Sequence, residues 1–230
     1  MITPETSTYV ARLYAVSAIL AMLAVPALAL DLPLARLCAE NGFPGDLRKG
    51  LNLMEAYAHG IGVGVICLTV FVLDRSRRSY VWRLAACPLA GGLMATLVKC
   101  VIARSRPSTF LDLGQPIATS FGAWLPWWNV PDWDHPLQSF PSGHTATACG
   151  LTVALIRMYP QGRYLFIAFA VLAACQRIGA SAHYLSDTVA GAAVGIFFAT
   201  LMLDSRFGGK LYDRLERPQS PAADNPCETS

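Results

Sequence analysis

Charge is what this 230-residue chain has least of: Asp, Glu, Lys and Arg together make up 14% of it, against about 25% in an ordinary soluble domain. That depletion excludes a disordered chain, a collagen and a disulfide-stapled miniprotein. The net charge of +3, from 18 Lys and Arg against 15 Asp and Glu, is small and scattered, so no basic groove for nucleic acid is expected. None of the seven cysteines (Cys38, Cys67, Cys87, Cys100, Cys149, Cys175, Cys227) stands in a C-x-x-C pair, and five lie in or beside apolar blocks, where cysteine acts as a small hydrophobe. Neither a metal site nor a disulfide framework is supported. No repeat of fixed period is visible.

Apolar sequence is abundant instead, at 54% with a mean hydropathy of +0.42. It falls in six blocks, 14–30, 56–73, 84–103, 145–158, 164–175 and 188–203, and a helix needs about 20 such residues to cross a bilayer. The expected fold is an all-α polytopic bundle of six transmembrane helices occupying residues 1–205. The fourth and fifth blocks are short and must extend into flanking polar residues. A polar, Pro-bearing tail over 206–230 is expected to be disordered and cytoplasmic. The first block could be a secretory signal, since Ala27-Leu28-Ala29 resembles a cleavage site. Its leader has only Arg12 as a basic residue and carries Glu5, which favours an uncleaved helix.

With six crossings, both termini share a side with the loops at 74–83 and 157–163. That side carries eleven Lys and Arg (Arg12; Arg75, Arg77, Arg78, Arg83; Arg157, Arg163; Arg206, Lys210, Arg214, Arg217) against seven opposite (Arg36, Arg48, Lys49, Lys99, Arg104, Arg106, Arg177). Positive charge stays inside, so the termini are expected to be cytoplasmic.

Three polar clusters interrupt the apolar pattern. Lys99 and Arg106, seven residues apart before Pro107, would share a helix face if the helix continued; alone, each reads as a cation snorkelling to the interface. Pro141-Ser142-Gly143-His144 opens the fourth block, where a turn, a Ser142 cap and free amides favour an anion. His144 there could donate a proton, or be a capped polar residue. In the third cluster His183 and Asp187 stand at i and i+4, beside Arg177. On a helix the carboxylate could accept from one ring nitrogen and aim the other at a substrate; a local polar pair is the plainer reading. Ionisable groups in membrane segments are costly and usually functional. The six-crossing topology brings all three clusters to one non-cytoplasmic face, a phosphate-sized anion site.

In this order, Lys99-x6-Arg106-Pro107, Pro141-Ser142-Gly143-His144 and Arg177-x5-His183-x3-Asp187 resemble the three motifs of the type 2 phosphatidic acid phosphatase and vanadium haloperoxidase superfamily, over roughly residues 50–205. Its membrane lipid phosphatase branch shares the six-helix layout. The resemblance implies that Lys99, Arg106 and Arg177, with the backbone near Ser142 and Gly143, clamp the phosphoryl oxygens. It implies that His183 attacks phosphorus, Asp187 orients the ring, and His144 protonates the leaving oxygen and then activates water. It implies catalysis with no cofactor or metal, on a phosphorylated lipid, in a bacterial inner membrane with the site facing the periplasm or exterior. Gln176 stands where the family usually has serine; its amide can still donate, so tuning of the site is expected.

Several readings stay open at this stage. A phosphotransferase would use the same site, and an anion transporter is the alternative of another class, although transporters usually bind near the midplane at a repeat interface. A soluble haloperoxidase shares the motifs but not the six blocks. Phosphatidic acid, phosphatidylglycerol phosphate, undecaprenyl diphosphate and lipid A phosphates are all candidate substrates. The 107–140 loop, with Phe110, Phe121, Trp124, Trp127, Trp128 and Trp133, is either a lipid guide or interfacial packing. Glu55 and His59 start the second block on the same face, His59 as an interfacial residue.

Overall fold

Each of the six apolar blocks folds around a helix because no other element satisfies backbone groups within one segment of chain. The computed structural model describes residues 4–111, 115–129 and 135–216. Its principal helices are α1 (Pro4–Asn41), α2 (Gly45–Met54) with α3 (Gly60–Leu73), and α4 (Val81–Val101). After two short helices, α5 (Pro107–Phe110) and α6 (Pro126–Asn129), come α7 (Gly143–Met158), α8 (Arg163–Gly179), α9 (Leu185–Leu203) and α10 (Gly209–Leu215). Among the described residues, three helical stretches can cross a membrane by length and composition, Ser7–Asn41, Arg75–Val101 and Leu185–Leu203, and the pair Gly45–Ala58 and Gly60–Leu73 makes a fourth if it is one bent span. α7 and α8, at 16 and 17 residues, fall short of the usual ~20. The all-α expectation holds apart from one small two-stranded ribbon.

The core is built on small residues. A Cβ on Gly195 of α9 would run into the Ala146 carbonyl of α7, and one on Gly150 of α7 would lie 2.7 Å from the Cys87 carbonyl of α4. Backbones that approach this closely leave room for nothing larger than glycine, the packing that membrane helices use in place of a hydrophobic drive. α1 lies along α9, tied by Ser17 Oγ donating to the Ala193 carbonyl at 2.8 Å. Met22, Ile61, Leu73 and Leu93 are among many large apolar side chains left exposed, the surface expected of helices facing lipid. The six described cysteines are free; Cys227 lies outside the described residues.

Four local expectations are corrected. First, the second block does not start as a helix at 56. A 3-10 turn, Glu55–Ala58, precedes α3, with a 69° bend at His59, whose Nδ1 accepts from Ile61 N at 3.3 Å and caps α3. Second, α4 stops at Val101 and the chain becomes strand β1 (Ile102–Arg104), paired antiparallel with β2 (Phe121–Trp124). Lys99 and Arg106 therefore do not share one helix face. Third, α9 begins only at Leu185 with Tyr184 as its N-cap, so His183 and Asp187 are not stacked on a helix; the backbone of His183 bonds back to the Arg177 carbonyl instead.

Fourth, the polar tail is not disordered from its start. α10 folds back so that Arg83 pairs with Asp213 at 2.7 Å and Glu216 at 2.9 Å, at the end of α4 opposite Lys99. Residues 217–230 lie outside the described residues. The aromatic loop divides in two. Phe110 is buried and Phe121, itself exposed, lays its ring against Arg104, whereas Trp124, Trp127 and Trp128 are exposed; Trp133 lies outside the described residues.

Candidate active site

The expected cations come together although the chain delivers them from three separate places. Lys99, in the last turn of α4, is almost fully buried and its Nζ donates to the Gln138 carbonyl at 2.6 Å. Arg106 follows β1 as the N-cap of α5, its amide bonded to the Pro136 carbonyl at 2.9 Å. Burial and the nearby Arg177 cation hold its pKa below the ordinary arginine value. Arg177 closes α8 and also acts electrostatically on His144 in the first turn of α7. Lys99 and Arg106 both act on His183. The mutual repulsion of neighbouring cations is what an anion bound between them relieves.

Ser142 serves α7 more than a ligand. Its Oγ accepts from Thr145 N at 3.4 Å and from Thr145 Oγ1 at 3.0 Å, and its own amide donates to the Asp187 carbonyl at 2.9 Å. Gly143 and His144 begin the helix, where amides have no intrahelical acceptor, so they remain the backbone donors suited to an anion.

His183 is buried, and its Nδ1 lies 2.7 Å from the Ser139 carbonyl. A carbonyl only accepts, so Nδ1 carries the proton and Nε2 is left with the lone pair. The expected partner, Asp187, is 3.8 Å from Nδ1 and is engaged elsewhere. Its Oδ2 accepts from Ser139 Oγ at 2.6 Å and from Tyr184 N at 2.9 Å, and its Oδ1 takes Arg104 Nη1. Asp187 thus positions the ring through Ser139 and caps α9 at the same time.

Arg104 was not foreseen in this role. It has no exposed surface. One guanidinium nitrogen serves Asp187 and Ser186 Oγ (2.7 Å), another serves Asp31 Oδ2 at 2.7 Å, and Nε donates to Ser120 Oγ at 3.2 Å. The rings of Phe121 and Tyr184 sandwich it at 4.4 and 4.3 Å. Asp31, on α1, also accepts from the amide and hydroxyl of Ser186. The available signal was Asp31 itself, an acid ending an apolar block with no basic residue beside it.

A second unforeseen contact is Glu55, whose Oε1 accepts from Arg177 Nη1 at 2.9 Å and lies 3.7 Å from His144 Nε2. Arg177 Nη1 is itself 3.4 Å from that nitrogen. The amide of Gln176 reaches Asn52 Oδ1 at 3.2 Å and Glu55 Oε2 at 3.5 Å, so the departure at this position ties α8 to the turn before α3. Among the described residues no three His, Cys, Asp or Glu side chains come together as for a metal. Three cations, two imidazoles and helix-start amides can bind an oxyanion and offer one ring nitrogen as nucleophile and another as proton donor.

A family model described as the PAP2 superfamily matches residues 80–208. Lipid A 1-phosphatases of Rhizobium etli and Rhizobium johnstonii are each 36% identical over 110 residues, which is 48% of this chain but only 43% and 41% of theirs. The match thus spans less than half the length of these relatives. The crystal structure of Aquifex aeolicus LpxE has a similar fold, with a TM-score of 0.55 at 22% identity over 76% of this chain and 94% of that one.

Two outcomes follow from the buried network. Arg104→Met leaves Asp31 and Asp187 without their counter-charge, and breaking a buried pair costs about 3–5 kcal/mol. Thermal unfolding in detergent should show a large loss for Arg104→Met and a partial recovery on adding Asp31→Asn. The second outcome concerns pH. Burial pushes the His183 pKa down to about 4 from its usual 6.5. Between those values the unfolded chain binds the proton and the folded one does not, so stability falls as pH drops through that window. The unfolding midpoint of His183→Gln should fall less than that of the wild type from pH 6.5 to 4; equal falls would assign the acid sensitivity elsewhere.

Proposed function

The chain belongs to the PAP2 superfamily, and on that premise we propose that it is an integral membrane phosphatase that removes a phosphoryl group from a lipid phosphomonoester or diphosphate. The observation that carries this reading is His183, with its Nδ1 proton fixed on the Ser139 carbonyl so that Nε2 keeps the lone pair, and the charges of Lys99 and Arg106 acting on it. The names of the Rhizobium relatives favour the phosphate of a lipid A-type glycolipid.

In this reading Lys99, Arg106, Arg177 and the amides of Gly143 and His144 hold the non-bridging oxygens. Nε2 of His183 attacks phosphorus, forming a P–N bond as the P–O bond to the lipid breaks. His144 gives its proton to the departing oxygen. It then takes a proton from water, which attacks phosphorus, breaks the P–N bond and frees phosphate and His183. Fixed cations and oriented amides supply the charge stabilisation that a metal ion gives elsewhere, so the reaction is proposed to need none. Ring orientation by Asp187 runs through Ser139 and is reinforced by Arg104.

The same proposal has α1, the α2–α3 pair, α4, α7, α8 and α9 as six crossings with cytoplasmic termini and the site at the periplasmic or exterior face. The excess of Lys and Arg on the loops at 74–83 and 157–163 and on the chain ends supports it. It is also supported by the placement of Lys99 and Arg177 in the last turns of α4 and α8 and of His144 in the first turn of α7.

Phosphate release from lipid A, undecaprenyl diphosphate, phosphatidylglycerol phosphate and phosphatidic acid, measured with EDTA present, tests the reading. Release should be fastest from lipid A, vanish in His183→Ala, and fall about 10²–10⁴-fold in His144→Ala, the range for a lost general acid. Wild-type turnover in a folded His183→Ala protein would refute the assigned nucleophile.

A further inference from the structure

Among the cations assigned to the phosphate, Arg177 is already held by a carboxylate. Glu55 accepts from Nη1 at 2.9 Å, and the amide of Gln176 steadies its other oxygen at 3.5 Å. The engagement is single-ended. Arg177 Nε is buried with no hydrogen-bond partner among the described residues, and so is Gln176 Oε1. A guanidinium presents its donors as a fork suited to two oxygens of one anion, and Glu55 fills only part of it. A phosphoryl group offers three.

Glu55 is also placed to move. It belongs to a 3-10 turn that precedes the 69° bend into α3, and its side chain is 39% exposed, against 12% for Arg177. With Tyr57, His59, Val65, Ile66 and Phe169 it lines an apolar cavity of about 640 Å³. One carboxylate thus belongs both to this cavity and to the cationic cluster.

We propose that Glu55 is a positioning residue that occupies Arg177 in the substrate-free site, steadied by Gln176, and yields it to the phosphoryl oxygens when substrate binds. This rests on the reading of Lys99, Arg106 and Arg177 as a phosphate clamp. Two anions on one guanidinium repel each other, so the resting carboxylate lowers the affinity for any weakly held phosphate, including the released product. It keeps Arg177 ordered and neutralised in the empty site, and it releases product by the same exchange. It also explains the departure from serine at position 176, since a serine is too short to hold Glu55 and Asn52 together across the joint.

The test is the affinity of the full-length protein in detergent for inorganic phosphate, by calorimetric titration, independent of turnover. Glu55→Gln keeps the shape and removes the charge, and should tighten phosphate binding by about three- to tenfold, the scale of one weakened charged contact. Gln176→Ser should shift affinity the same way by less, and Arg177→Ala should weaken it. A residue with only a structural role would not tighten anion binding when its charge is removed. Unchanged or weaker binding in both Glu55→Gln and Gln176→Ser, with the wild type binding phosphate and Lys99→Ala losing it, overturns the exchange and leaves the phosphatase reading intact. Wild-type protein that releases no phosphate from lipid and binds none would overturn the clamp and the exchange together.

Discussion

A guanidinium with no access to solvent must be neutralised where it stands, and the neutralisation of Arg104 by Asp31 and Asp187 is what the rest of the site depends on. The two carboxylates come from α1 and α9, near opposite ends of the chain, and the arginine comes from the strand after α4. None of the three could be buried alone, because an isolated charge in an apolar interior is prohibitively costly. Together, with Ser186 and Ser120 taking the remaining donors and two rings covering the faces, they lock three elements in register. Such a network gives specificity of arrangement more surely than net stability.

From that lock the reactive geometry follows outward. Asp187 is fixed by Arg104, Ser139 is fixed by Asp187, and the Ser139 carbonyl fixes the proton of His183. The break of α4 into β1 has the same origin: Ser139 N bonds to the Arg104 carbonyl at 3.0 Å, a contact that a continuous helix would have denied. Two layers result. The lower one is rigid and, with one guanidinium against two carboxylates, net negative; the upper one, Lys99, Arg106, Arg177 and His144, is cationic and is partly held in waiting by Glu55. A rigid shell beneath a charged one is what a preorganised site for an anion requires.

The sequence made much of the upper layer legible. Lys99, Arg106, His144, Arg177 and His183 stand out because charged and titratable groups in an apolar chain have few bland explanations. The helices were legible for the same reason, in the long apolar blocks. What escaped were interactions that depend on where helices stop. Periodicity would put Lys99 with Arg106 on one face of a continuing helix, and His183 with Asp187 on another, but α4 ends just after Lys99 and α9 begins only after His183. Arg104 sat in plain view between Lys99 and Arg106, yet nothing local separates a cation that turns inward from one that faces the membrane surface. Its partners Asp31 and Asp187 are brought to it only by tertiary packing. Ser139 was illegible too, since its contribution is mostly a backbone carbonyl. The short α10 was missed because its support, Arg83, is far away in sequence.

The proposed acceptor of the phosphoryl group is Nε2 of His183. Rapid quenching of the protein with lipid A carrying a ³²P-labelled phosphate, in EDTA, tests that directly. A transient ³²P adduct is expected on the wild-type chain, labile to acid and stable to base as a P–N bond should be, and no adduct on a folded His183→Ala chain. Steady turnover with no such adduct, or label that persists when His183 is replaced, would contradict it.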